Sequence, residues 1–468
     1  MHHALLILLA LAPKPPNLKP DQNSKPNKPS TIPTFPCNDQ LDKRILALSV
    51  PAVVNFLIQP LTASVDLFWI SKLQQPLANA GAAAANQVFT TGFWFTSFIP
   101  TLTTPRVAKA AAAKDTDAVV TAVGEGLFLA VVCGGTILLA MAILQNSALS
   151  SIGSLASLPF SQPYLRWRLP GVLFEAIGNV GFSAFRGVQD TVTPLQISLA
   201  SNIINIIFDP LFMFAARMGV AGAALATTVS QFAAAGGFIA LLLRRGILRL
   251  QAFRPPTRSA LASLAGGGLA VQLRAIALNA AFIGVTRTTQ RLDSVGTGAA
   301  AHSVALQIWQ LGGVMLFALS TVASIIIPAE SVRGEEVRRA AAIRFLWIGG
   351  LAGAAIGVGQ LAILPALKFF SPSPAVARAA LLPSIIGALI QPLNGLTFVG
   401  EGVMIGSSAF GALAMGQVIA TVALLLFLRG CTELWNVWLG FALFNALRLA
   451  SVARFYFKEM RLRRVHVK

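Results

Sequence analysis

The stretch SNIINIIFDPLFMFAA (201–216) places Asp209 among Ile, Phe, Leu and Met, with Pro210 directly behind it. In a bilayer-spanning segment an ionised aspartate costs about 2.5–3.5 kcal/mol on insertion scales, so it needs a compensating role. Asn202, Asn205 and Asp209 fall at i, i+3 and i+7, on one face of a helix. Three more stripes share this helical spacing: Asn55, Gln59, Thr62 and Asp66; Glu175, Asn179 and Ser183; Thr227 and Gln231. Lipid cannot satisfy such groups, so four inward-facing stripes predict a polar, acid-containing cavity. A plainer reading stays open for each. Asp209 followed by Pro210 fits a helix N-cap with proline at the first position, and Asn, Thr and Ser often bond between helices for about 0.6 kcal/mol each.

The bilayer premise rests on composition. The 468 residues are 55% hydrophobic and 11% charged, about half the charge of an average soluble domain. Apolar stretches run over approximately 45–70, 77–104, 118–144, 169–185, 193–215, 219–243, 261–286, 297–327, 342–367, 376–399, 403–428 and 434–453. Most reach the roughly 20 residues that span a hydrocarbon core. Twelve spans is the natural count; short joints leave eleven or thirteen open. The fold class expected is all-α, a polytopic membrane protein with twelve transmembrane helices in two six-helix lobes. Its parts would be a disordered tail or targeting segment (1–42), an N-terminal lobe (43–243), a basic connector (244–258), a C-terminal lobe (259–455) and a basic tail (456–468).

With both termini cytoplasmic, the tails and the loops after even-numbered spans hold 25 of the 36 Lys and Arg, nine lie on the other side, and Arg274 and Arg448 lie within spans. This follows the positive-inside rule and reads the net charge of +19 as topology anchors near anionic headgroups, without a nucleic-acid partner. Cys37, Cys133 and Cys431 are scattered, which argues against a disulfide framework or a metal cluster. The four histidines form no HExxH pair, and no Gly-Lys dipeptide exists for a P-loop, so metalloprotease and ATP-pump readings fall away. The Pro/Lys/Asn-rich tract before Cys37 reads either as a floppy tail or as an organelle-targeting segment.

GAAAANQVF (81–89), followed by a span ending at Pro105, recurs loosely as GAAAHSVALQIW (298–309), followed by a span ending at Pro328. Two related halves of this kind suit a transporter. Arg186 and Asp190, four residues apart between spans four and five, predict an exposed ion pair with a hinge or stability role. Arg274 is expected to meet a carbonyl or carboxylate.

FRGVQDTVTPL, SNIINIIFDPLF and GVAGAALATTVSQ, in order within 185–231, closely resemble the multidrug and toxic compound extrusion (MATE) transporters of the DinF-like branch, plastid and plant members included. VPAVVNFLIQPLTASVDLFWISKL (50–73), TTPRVAKAAAAKD (103–115) and AAAHSVALQIWQL (299–311) extend the likeness over about residues 42–460. The resemblance implies a non-enzymatic secondary antiporter with two lobes around a cleft, exporting an organic solute, a drug-like cation or an organic anion, in exchange for H⁺ or Na⁺. It implies a cation-coupling site at Asp66, Asp209, Asn205, Thr227 and Gln59, with Na⁺, if that is the ion, at Asp66, Asn205, Asp209 and Thr227. Asn55, Asn179, Asn202 and Glu175 would line a solute cavity. There would be no catalytic residue and no cofactor beyond the coupling ion. Partners would be a small organic solute and the bilayer; the state, a monomer; the place, a plasma, plastid or other organelle membrane. The chain departs from the family in VGEGVMIG (399–406), where Glu401 stands for the usual Asp, and in SKLQQP (71–76), where a Gly-rich turn is usual. A flippase for lipid-linked solutes is the alternative, and a channel or receptor a more distant one.

Overall fold

The computed structural model of the chain describes residues 34–152, 155–292, 297–366 and 374–461, and every regular element among them is helical. In order these are α1 (Gln40–Ser71), α2 (Pro76–Trp94), α3 (Phe98–Ala112), α4 (Thr116–Ile152), α5 (Leu158–Arg168), α6 (Pro170–Gly187), α7 (Val192–Pro210), α8 (Val220–Arg244), α9 (Arg258–Leu292), α10 (Thr297–Ser331), α11 (Glu335–Ile363), α12 (Pro374–Leu389), α13 (Gln391–Gly406), α14 (Phe410–Leu428) and α15 (Leu434–Arg461). Eight helices are long and apolar enough to cross a membrane alone, and α12 with α13 forms a ninth span bent by 49°. Adding α1, and taking α2 with α3 and α5 with α6 as interrupted rods, gives the expected twelve among the described residues. Prolines open α2, α6 and α13, where the missing N–H costs nothing because no earlier carbonyl awaits it.

Contacts divide the chain into two units, one from Val50 to Leu264 and one from Ala265 onward; described residues 34–49 group with the second. Within the first, one cluster gathers around Phe89, Leu165, Val172 and Met213, and another around Val107, Val180, Phe185 and Phe238. The second has a cluster around Ile326, Phe345 and Val403 and another around Trp309, Trp438 and Phe441.

The tail expected over 1–42 enters the described residues at 34, where charge fixes it. Arg344, fully buried on α11, donates from Nη1 to Asp39 (2.6 Å) and Asp42 (3.2 Å). The hydrogen bond from Arg344 holds the Asp39 carboxyl down at about 2. Cys37, Asp39 and Asp42 come close enough to suggest a metal site, but they surround the Arg344 guanidinium, whose Nη2 reaches the Cys37 Sγ at 3.6 Å.

The expected Arg186–Asp190 pair is not what forms. Asp190 accepts from the backbone N–H groups of Val192 (3.1 Å) and Thr193 (2.9 Å) at the start of α7, and its other oxygen pairs with Arg245 Nη1 at 2.6 Å. Arg186 instead stacks over the Phe182 ring, 4.6 Å from its centroid. Asp190 points forward to cap α7, away from the helix that carries Arg186, and the connector brings Arg245 to it.

In the second unit α11 and α13 meet through small residues. Gly349, Gly353 and Gly357 repeat every four residues on one face of α11, the spacing that lets helix backbones approach in membranes. A Cβ on Gly395 would lie 2.0 Å from the Gly349 carbonyl oxygen, whereas one on Gly359 would meet nothing within 4 Å. Gly395→Ala is therefore expected to destabilise the protein by about 1–3 kcal/mol through overpacking, and Gly359→Ala to leave it unchanged. Apparent melting temperatures in detergent check this: a lower value for the first and an equal one for the second.

Candidate functional site

The first unit brings together α1, α5, α6, α7 and α8 around a group of polar side chains. Asp209 occupies the last turn of α7 and is fully buried; Asn205, one turn earlier, is 1% exposed. Asp209 is not an N-cap, because the chain continues from α7 through Pro210 into a π-helical turn at Leu211–Ala215. Pro210 has no N–H for the carbonyl four residues back, and the backbone widens directly behind it, where the Ala216 N–H reaches the Leu211 carbonyl at 2.9 Å. The capping alternative is thereby excluded.

Asn205 Nδ2 lies 3.4 Å from Asp209 Oδ1 and 3.5 Å from Thr227 Oγ1 on α8, and Thr227 donates to the Ala223 carbonyl at 2.9 Å. The Asp66 carboxyl on α1 stands within hydrogen-bonding reach of Asp209. Two ionised carboxylates only accept, so they cannot bond each other without a proton or cation between them. Three buried acceptor oxygens here have no donor among the described residues: Asp66 Oδ1, Asp209 Oδ2 and Asn205 Oδ1. Partnerless buried acceptors are costly, and hard oxygens of this type suit H⁺ or Na⁺.

A buried arginine completes the group. Arg168, the last residue of α5 and 7% exposed, donates from Nη1 to Gln231 Oε1 at 2.7 Å, and Gln231 Nε2 donates to Glu175 Oε2 at 2.9 Å. Its guanidinium lies 3.9 Å from the Phe89 ring centroid and within electrostatic range of Asp66. In the sequence Arg168 falls between the apolar stretches 118–144 and 169–185, which places it among the nine exterior charges. The signal available was its place in LRWRLPG, one residue before the proline that restarts the rod as α6.

Of the other stripe residues, Glu175 joins Arg168 through Gln231. Thr62 Oγ1 donates to Asn202 Oδ1, and Asn202 Nδ2 donates to the Ser198 carbonyl at 2.7 Å. Asn179 offers its carbonyl to the Ser183 hydroxyl at 2.8 Å. Asn55 is buried on α1, its Oδ1 without a donor. Gln59 lies on α1, but its side chain is outside the described residues.

Twelve membrane rods holding an oxygen-rich, acid-bearing cluster within one unit define a multi-pass membrane protein of the transporter class. Comparison with known proteins narrows this class. The chain carries a MatE-family domain, matched over residues 51–211. Protein DETOXIFICATION 44, chloroplastic, of Arabidopsis thaliana is 28% identical over 463 residues, covering 93% of this chain and 84% of that protein. DNA damage-inducible protein F of Escherichia coli is 29% identical over 211 residues, 45% of this chain and 46% of that one. The Vibrio cholerae MATE transporter VcmN in its bent form superposes with a TM-score of 0.81 at 16% identity, over 90% of this chain and 97% of that one, which shows the shared fold. The resemblance to MATE proteins is thus borne out, and a transporter rather than an enzyme is what the family match supports.

Removing one member of a buried charge group leaves the others uncompensated, at about 3–5 kcal/mol for a direct pair. Arg168→Met is expected to lower the apparent melting temperature, and Glu175→Gln in the same chain to restore part of the loss. Thermal unfolding of the two single variants and the double variant checks this; strictly additive losses would contradict the linkage.

Proposed function

We propose that the protein is a secondary active antiporter that exports a small organic solute in exchange for H⁺ or Na⁺, with the site in the first unit exposed alternately to the two sides of the membrane. The observation that carries this reading is the set of three donor-less oxygens on Asp66, Asp209 and Asn205, in a chain with a MatE domain. A proton shared by the two carboxyls, or a Na⁺ held by them with the Asn205 and Thr227 oxygens, would satisfy these acceptors. Loading and unloading that cation changes the charge of the site by one, which gives the two exposed states different energies.

The magnitudes suffice. Concentrating a neutral solute 100-fold costs about 2.7 kcal/mol, one cation crossing about 100 mV supplies about 2.3 kcal/mol, and each tenfold cation gradient adds about 1.4 kcal/mol. Arg168, near Asp66 and linked to Glu175 through Gln231, supplies a fixed positive charge beside the pair. It limits the negative charge carried by the unloaded site.

Asp66→Asn and Asp209→Asn keep shape and part of the hydrogen bonding but remove the exchangeable charge. Gradient-driven export in sealed vesicles is expected to fall about tenfold or more in either variant, with membrane insertion retained. Near-normal driven export by both would return the pair to a structural role.

A further inference from the structure

The second unit contains a charged group that the coupling reading does not use. Glu401 on α13 is 4% exposed and lies between two arginines from other spans. Arg274 of α9 donates from Nη2 to Oε2 at 2.6 Å. Arg448 of α15 donates from Nε to Oε1 at 2.8 Å, and its Nη2 stands 2.8 Å from the same oxygen. Arg448 is fully engaged: Nη1 donates to Asn445 Oδ1 at 3.0 Å, and the Phe398 and Phe444 rings lie against its guanidinium at 5.1 and 5.2 Å. Two guanidiniums against one carboxylate leave a surplus positive charge inside membrane-spanning helices, and among the described residues neither arginine pairs with another acid.

The two arginines are not equivalent. Arg448 is buried, with a side chain 3% exposed, whereas that of Arg274 is 20% exposed. Arg274 uses one nitrogen on Glu401, and its Nε is buried without a partner. A guanidinium is a planar fork suited to grip an oxyanion through two parallel N–H bonds, and on Arg274 that fork is only partly engaged. A buried surplus charge is expensive in lipid, and an arriving anion would relieve it.

We infer that Arg274 is the docking cation for an anionic oxygen group, a carboxylate or phosphate, on the solute, held in place by Glu401 while Arg448 neutralises that carboxylate. The inference rests on the export reading above and assigns the solute to organic anions. The site repels an organic cation. It accepts one negative charge before the group is balanced, so a monoanion is the matching ligand. Arg274 is a binding residue, and Glu401 and Arg448 are positioning residues.

The test uses the full chain in phosphatidylcholine nanodiscs, with radiolabelled benzoate as the anionic probe and tetraphenylphosphonium as the cationic one. Benzoate binding is expected in the unmodified protein and at least about tenfold weaker in Arg274→Gln, the loss of a charge-assisted contact; that variant keeps the Glu401–Arg448 pair. Arg274→Lys, which retains charge but not the fork, is expected to fall between them. Tetraphenylphosphonium binding is not expected to weaken in Arg274→Gln. Equal benzoate affinity in the unmodified protein and Arg274→Gln overturns the inference, as does a protein that binds tetraphenylphosphonium but no benzoate. Loss of benzoate binding when phosphatidylglycerol replaces part of the lipid assigns the arginine to a headgroup and overturns the solute reading. Should Arg274→Gln fail to fold, unchanged benzoate affinity in Arg274→Lys overturns it. Failure of the coupling reading looks different: undiminished driven transport in the Asp66 and Asp209 variants, with benzoate binding intact.

Discussion

A carboxylate oxygen buried at membrane depth needs a donor, a proton or a cation, because lipid offers none. In the first unit this requirement falls on Asp66 and Asp209, whose carboxyls face each other, each keeping one oxygen without a donor. The surroundings follow from it. Asn205 gives its amide N–H groups to Asp209 and Thr227 and so presents its own oxygen without a donor. Pro210 ends α7 immediately after the acid, and the π-helical turn behind it is the kind of irregular backbone that recurs at functional sites. Arg168 stands near Asp66 and is linked through Gln231 to Glu175.

The second unit meets the same constraint with the opposite sign. There the acid, Glu401, is over-supplied: three arginine nitrogens reach its two oxygens. What is left without a partner is a donor, the Arg274 Nε. The Asp66–Asp209 pair thus has acceptors in excess, and the Glu401 group a donor and a positive charge in excess. On the readings proposed above, the first takes a cation and the second an anion.

Much of this was legible in the sequence. Periodicity placed Asn205 and Asp209 on one face and gave Thr227 and Asp66 their own stripes, because helical spacing is a local property. Which stripes face one another depends on tertiary packing, and no local pattern encodes that. The segment SQPYLRWRLPG is polar enough to read as a loop, yet α5 carries its last residue, Arg168, into the interior. Asp190 was given a near partner, Arg186, but its partner Arg245 is 55 residues away along the chain. The Arg274–Glu401 contact spans 127 residues. Arg274 was recognisable as a buried charge needing a partner, and the partner was not. The composition of the tail fits disorder or a targeting segment and carries no sign that Arg344, some 300 residues on, holds Asp39 and Asp42.

The central claim is that the donor-less oxygens of the first unit hold one exchangeable cation. It is tested most directly by counting cations on the purified protein: proton uptake after a pH jump and equilibrium binding of ²²Na⁺, each compared with the Asp66→Asn, Asp209→Asn double variant. The account predicts about one cation per chain, as H⁺ or as Na⁺, that the double variant does not take up, the single charge by which loading alters the acid pair. Equal uptake of both cations by the two proteins would contradict it.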